Sequence, residues 1–159
     1  MALYYPPVGF HFAVYIEGLM PKYTGIPDIG FQEASGLDVT INTEEYREGG
    51  ENRFAHRLPG NISYPNLVLK RGLLIGSQLQ MWFRSSIETF TFEPHDMNLL
   101  LLNPEHMPIQ AWSFLNAYPV KWSVSGFNAQ DNGIVVDSVE FSYQFSRRVD
   151  PVDLLTSVL

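Results

Sequence analysis

Four histidines, His11, His56, His95 and His106, and several carboxylates are the side chains in this chain best suited to acid–base or metal chemistry. His95 and His106 bracket a stretch that reads as a hairpin, with Glu93, Asp96 and Glu105 beside them as further ligands. A zinc site needs three or four convergent donors, and nothing in this spacing enforces convergence. Glu44 and Glu45 beside Arg47 imitate the carboxylate pair of a glycosidase, but adjacent residues of an extended chain point apart. Glu48 and Glu51 flank Gly49-Gly50 and would repel a phosphate rather than cradle it. The nucleophile elbow GxSxG, the phosphate loops and the zinc helix HExxH are all missing from the sequence. Cysteine is absent, which removes disulfides and thiolate chemistry. The residues therefore point to a protein that is not an enzyme and holds no cofactor or metal. A hydrolase would require a convergent acid–base pair that these spacings do not supply.

The elements that would position such residues read mostly as strands. At 159 residues the chain has the length of one domain with one core. Charged residues make up only 17% of it, below the roughly 25% of an ordinary soluble domain, which leaves surface for partners to cover. The net charge of −7 argues against nucleic acid, whose phosphates call for clustered cations. Arg47, Arg53, Arg57, Lys70 and Arg71 do fall close together, but Glu44, Glu45, Glu48 and Glu51 lie among or before them. The start of the chain lacks the cationic and apolar regions of a secretory signal, and the run Leu99–Leu102 is far short of a membrane span. The expectation is synthesis and folding in the cytoplasm.

Period-two alternation is strongest from Gly133 to Val149, read as one long strand. Val135, Val139, Phe141, Tyr143 and Phe145 mark the buried face, interrupted at Asp137, and Ser138, Glu140, Ser142, Gln144 and Ser146 mark the wet face. That wet face carries small hydroxyls, an amide and an acid, a smooth surface for something to slide past. Val8, Phe10, Phe12, Val14 and Ile16 alternate with a second, half-apolar face, which predicts burial on both sides. Gly18 to Gly30 reads as a loop. Leu37, Val39 and Ile41 oppose Asp38, Thr40 and Asn42 in a second strand. Thr43 to Gly60 has no apolar period and seven charges, and reads as a long loop, functional or flexible. Ile62 to Arg71 reads as an edge or bulged strand because it contains Pro65.

Ser77 and Gln80 form a capping box ahead of Leu79, Trp82, Phe83, Ile87 and Phe90, which predicts a helix packed on the sheet. Two strands, Met97–Asn103 and Ile109–Asn116, are joined by a turn, and alternation continues past Pro119 to Val124. Asp131-Asn132-Gly133 is a turn signal. Asp150 is a good N-cap with Pro151 at the first helical position, ahead of an apolar tail.

Taken together, SGLDV followed by EYREGG, LVLKRG, NAYPVKWS after a tryptophan, and the final strand make the chain similar to a known family. It resembles the inner-tube proteins of contractile phage tails and extracellular contractile injection systems, over about residues 8 to 146. The resemblance implies a mainly β fold, an antiparallel β-barrel or sandwich with one flanking α-helix, over residues 1–149, with a C-terminal extension at 150–159. It further implies subunits that form a hexameric ring with a continuous inner β-barrel around a channel. On that basis Asp38, Thr40, Asn42, Ser138, Glu140, Ser142, Gln144 and Ser146 would face the lumen. Glu44, Glu45, Arg47, Glu48, Glu51, Arg53 and Arg57 would lie on a loop reaching a neighbouring subunit or ring.

The C-terminal extension and the wording ENRFAHRLPG and YPNLVLKRG are closer to the baseplate-proximal tube initiators than to the repeated tube subunit. The implied role is a structural initiator layer joining the baseplate hub to the tube. Implied partners are other copies of the chain, the inner-tube protein, hub or spike proteins and the sheath, with no nucleic-acid site and no membrane. The implied location is a phage tail or an extracellular or membrane-attached injection particle. The alternatives are the repeating tube subunit and, in another class, a carbohydrate-binding β-sandwich.

Overall fold

The computed structural model describes residues 11–18, 28–72, 78–126, 130 and 136–153. The strands are β1 (His11–Ile16), β2 (Asp28–Ser35), β3 (Thr40–Tyr46), β4 (His56–Ser63), β5 (Leu67–Gly72), β6 (His95–Leu102), β7 (Pro108–Val124), β8 (Val136–Ser142) and β9 (Phe145–Val149). One helix, α1 (Gln78–Glu88), lies between β5 and β6. The main sheet runs β6-β1-β2-β5-β8-β7, all antiparallel, and β7 pairs back onto β6. It is a closed barrel rather than an open sandwich, and closure removes the free edges of these strands.

Alternation places the core. Val14, Ile16, Phe31, Leu67, Leu69, Met97, Leu99, Phe114, Val139 and Phe141 are buried inside. Asp137, the polar interruption in the inward row of β8, is also buried, and its Cα partner is the equally buried Arg71. Arg71 sets its guanidinium 5.1 Å from the centre of the Phe31 ring. The second face of β1 is buried only at its middle: Ala13 packs with Leu100, Leu102 and Ala111 in a smaller cluster, while Tyr15 is exposed.

α1 contributes Leu79, Trp82 and Phe83 to the main core, with the rings of Trp82 and Phe83 5.5 and 5.2 Å from Phe141. The expected apolar stripe holds at Leu79, Trp82 and Phe83 and fails beyond them. Ile87 and Phe90 are exposed, and Ser86 takes the inward position one turn beyond Trp82 and Phe83. A buried serine is tolerated there because its Oγ donates to the Trp82 carbonyl at 3.0 Å.

Several expected boundaries shift. Thr43 to Gly60 is not one loop: half of it lies in an antiparallel ribbon, β3 against β4, with a connection of residues 47–55. Every side chain of β3 is exposed, so neither face imprints a period on the sequence. The expected strand from Leu37 starts only at Thr40, because the chain first turns at Gly36. The strand expected over Ile62–Arg71 splits at Tyr64-Pro65-Asn66, where proline cannot donate to a ladder. The strand expected over Gly133–Val149 is broken at Tyr143-Gln144 into β8 and β9. Val8, Phe10, most of the Gly18–Gly30 loop, the Ser77 cap, the Asp131-Asn132-Gly133 turn and the tail after Asp153 lie outside the described residues.

Candidate functional site

Gly36 decides how the β3–β4 ribbon leaves the barrel. Its φ is +84°, and a Cβ there would sit 1.9 Å from the backbone oxygen of Asn66, so the outgoing and returning chains touch at this point. Tyr143 pins the same root, its hydroxyl donating to the Gly36 carbonyl at 3.3 Å and its ring meeting Tyr64 edge-on at 5.9 Å. Burial raises the Tyr143 pKa above its ordinary value, and nearby Tyr64 and Asp38 add to the rise, while a hydrogen bond with Ser146 opposes it. Leu37 packs back onto the core.

Beyond this root the ribbon is an arm open on both faces. Val39, Ile41, Tyr46, Phe54, Leu58 and Ile62 are exposed along it, and Ile41 and Ile62 are cross-strand partners. Asn42 donates from Nδ2 to Asn61 Oδ1 at 3.3 Å beside the bulge between Ile41 and Thr43. The charges at its tip are paired locally. Arg47 meets Glu45 at 3.1 Å and Arg53 meets Glu51 at 2.9 Å, each two residues apart. The Arg53 guanidinium holds the Glu51 carboxyl below its ordinary range. His56 lies 3.8 Å from Glu48, and Arg57 is the cross-strand partner of Glu45. Such exposed pairs contribute little stability, so they keep the tip soluble without anchoring it.

The outward row of β8 is the second surface. Ser138, Glu140 and Ser142 are half-buried between inward-facing neighbours. Cations absent from β8 arrive from the adjoining strands. Lys70 is the partner of Ser138 and binds Glu33 at 3.0 Å, and Lys121 binds Glu140 at 3.4 Å. The face expected to be uncharged or acidic is therefore charge-balanced, because strand neighbours distant in sequence complete it.

Gln144 is exposed beside this row, but Ser146 is not part of it. The partner of Ser146 is Phe114, fully buried in the core, and directly opposed residues share a face. The break at Tyr143-Gln144, opposite Asn116 with φ +50°, restarts the alternation out of phase. Asp38, Thr40 and Asn42 are exposed, but the strand that carries the latter two pairs only with β4, so within one subunit they lie on the arm and not beside Ser138.

His95 and His106, whose spacing enforces no convergence, take different partners. His95 stacks edge-on against Trp82 at 5.2 Å and lies 4.0 Å from Glu93, while His106 meets His11. No group of three or more potential metal ligands gathers among the described residues. No helix among them is long and apolar enough to cross a membrane.

A family model described as T4-like virus tail tube protein gp19 matches residues 8–146. No curated protein sequence matches the chain. A chain in the six-fold symmetrised anti-feeding prophage baseplate is 28% identical with a TM-score of 0.77, over 91% of this chain and 96% of that one. A chain of the PVC extracellular contractile injection system, from its extended sheath–tube complex, is 27% identical with a TM-score of 0.73, over 92% and 93%. A chain from the cap that terminates the anti-feeding prophage tube is 26% identical with a TM-score of 0.74, over 94% of each.

Proposed function

This chain belongs to the tail tube protein family of T4-like viruses, and from that premise we propose that it forms the initiator ring joining a baseplate hub to an inner tube. Its coarser role is that of a tail-tube-like structural component of contractile injection systems. The observation that carries the assembly reading is the β3–β4 arm. A two-stranded ribbon uncovered on both faces is marginal on its own, and this one exposes Val39, Ile41, Tyr46, Phe54, Leu58 and Ile62. Burying one such aliphatic side chain fully against a neighbour contributes roughly 1.5–3 kcal/mol. A closed ring of identical subunits lays each arm on the next copy and leaves none uncovered.

In that ring Ser138, Glu140, Ser142 and Gln144, with Asp38, Thr40 and Asn42 of the arm, line the channel. Small hydroxyls and balanced ion pairs make a wall to which cargo of either charge adheres weakly. Glu44, Glu45, Arg47, Glu48, Glu51, Arg53 and Arg57 set the register with the neighbouring subunit or ring through complementary charge.

The initiator assignment rests on the C-terminal extension. Asp150 Oδ1 accepts the Val152 amide at 3.1 Å, so a capped turn starts where the barrel ends. Likeness to a baseplate chain supports the same reading, and likeness to a sheath–tube chain favours the alternative of a repeating subunit. Electron microscopy and mass photometry of the purified protein test it. One ring or one ring pair is expected, and truncation of residues 152–159 is expected to weaken attachment to an adjacent layer more than it weakens the fold. Long tubes from this protein alone would make it the repeating subunit. Monomers alone, even with tube and hub proteins present, would overturn ring formation.

A further inference from the structure

His11 opens β1, and His106 sits in the β6–β7 turn, 95 residues away in sequence. Their rings meet edge-on with centres 4.7 Å apart and an interplanar angle of 73°, and His11 Nε2 lies 2.7 Å from His106 Nδ1. At that distance one nitrogen carries a proton and the other presents its lone pair to it, so both ring nitrogens aim at one point between them. The backbone holds this convergence. His11 pairs with Leu102 at the end of β6, which brings β1 alongside the turn. Within the turn, Asn103 receives the Met107 amide on Oδ1 at 2.8 Å and the His106 amide on its carbonyl at 2.9 Å. His106 is thereby kept at φ +62°, a conformation that histidine adopts more readily than most residues.

We propose that His11 and His106 form a two-imidazole site for a borderline divalent cation of the zinc class. The metal takes the place of the shared proton: that proton passes through solvent to the far nitrogen of the same ring, and two neutral imidazoles donate their freed lone pairs. In a tetrahedral zinc site, ligand nitrogens at 2.0–2.1 Å from the metal stand about 3.3 Å apart. Opening the pair from 2.7 Å to that spacing asks only for small rotations of two side chains at the surface. Two imidazoles fall short of the three or four protein donors of a tight zinc site, so with no third ligand gathered among the described residues water completes the coordination and the affinity is correspondingly low. The site belongs to the single subunit and does not depend on ring assembly.

Isothermal titration of the purified full-length protein with zinc chloride tests it, beside His11→Gln, His106→Asn and His56→Asn. Asparagine at position 106 also tolerates positive φ, so that variant removes the imidazole and keeps the turn. The expected result is one zinc per subunit in the wild type and in His56→Asn. In His11→Gln and His106→Asn binding should weaken by more than the roughly 10–100-fold that loss of an outer-shell partner costs. Melting curves without metal establish that the variants fold, and His11→Gln alone carries the comparison if His106→Asn does not. Absence of zinc binding by the wild type at millimolar metal, or wild-type affinity in His11→Gln, would overturn the proposal.

Discussion

Asn116 and Gln144 face each other across the junction of β8 and β9, with Asn116 Nδ2 donating to Gln144 Oε1 at 2.7 Å. The Gln144 amide also donates to the Leu115 carbonyl at 2.9 Å, so β7 keeps its pairing through the break. Tyr118 pairs with Ser142 on one side and Leu115 with Phe145 on the other in one continuous register. What changes is the face. Asn116 sits at φ +50°, and the side chains beyond the junction emerge on the opposite side.

This geometry makes position 116 selective. Asparagine tolerates a left-handed backbone, whereas a β-branched residue does not. Asn116→Val is expected to lower stability by roughly 1–2 kcal/mol, and Asn116→Gly by less. Urea denaturation of both variants checks the order, and equal losses would show that the side-chain bond to Gln144 matters more than the backbone.

The two faces of β8 should respond differently to truncation. Phe141 is fully buried and touches Trp82 and Phe83, so Phe141→Ala is expected to cost about 3–5 kcal/mol. Ser142→Ala, on the outward row, should stay within about 0.5 kcal/mol. Chemical denaturation measures both.

The root of the arm tolerates no side chain. Gly36→Ala combines a positive φ with a Cβ driven against the Asn66 backbone, and roughly 2–5 kcal/mol of destabilisation is expected. Thermal melting gives the loss. Faster proteolysis within residues 40–63 would show that the arm loosens first.

Alkali should act through tyrosine. Burial raises the pKa of Tyr143 and of Tyr15 above the ordinary 10.0. The folded state thus holds these protons more tightly than the unfolded chain. Their contribution is fully present below about pH 10 and is lost as the pH rises through the folded values. Melting temperatures measured from pH 8 upward should fall above about pH 10, and Tyr143→Phe should flatten part of that fall.

The charged arm tip offers an assembly test. Arg53→Glu with Arg57→Glu is expected to leave the subunit folded, since Arg53 is largely exposed and its pair with Glu51 is local. The double variant should fail to form rings or particles in mass photometry and electron microscopy. Normal particles would remove the register role of the tip.

Sequence alone determined the elements whose one face is buried. Leu67, Leu69, Val139 and Phe141 betray their strands because a core on one side and solvent on the other impose a period of two. The cap at Asp150 was equally legible, since a cap is a contact between near neighbours in the chain. Family membership too was readable from linear words such as SGLDV and NAYPVKWS. Tertiary structure decided what depends on distant strands. The β3–β4 arm was hidden because a ribbon exposed on both faces leaves no hydrophobic period. Lys70 and Lys121 balance the outward row of β8 only because β5 and β7 lie beside it. Ser146 changes face because of a backbone twist at a break that alternation runs straight through. The meeting of His11 with His106 required the whole order of β1 beside β6, a pairing that local sequence does not encode.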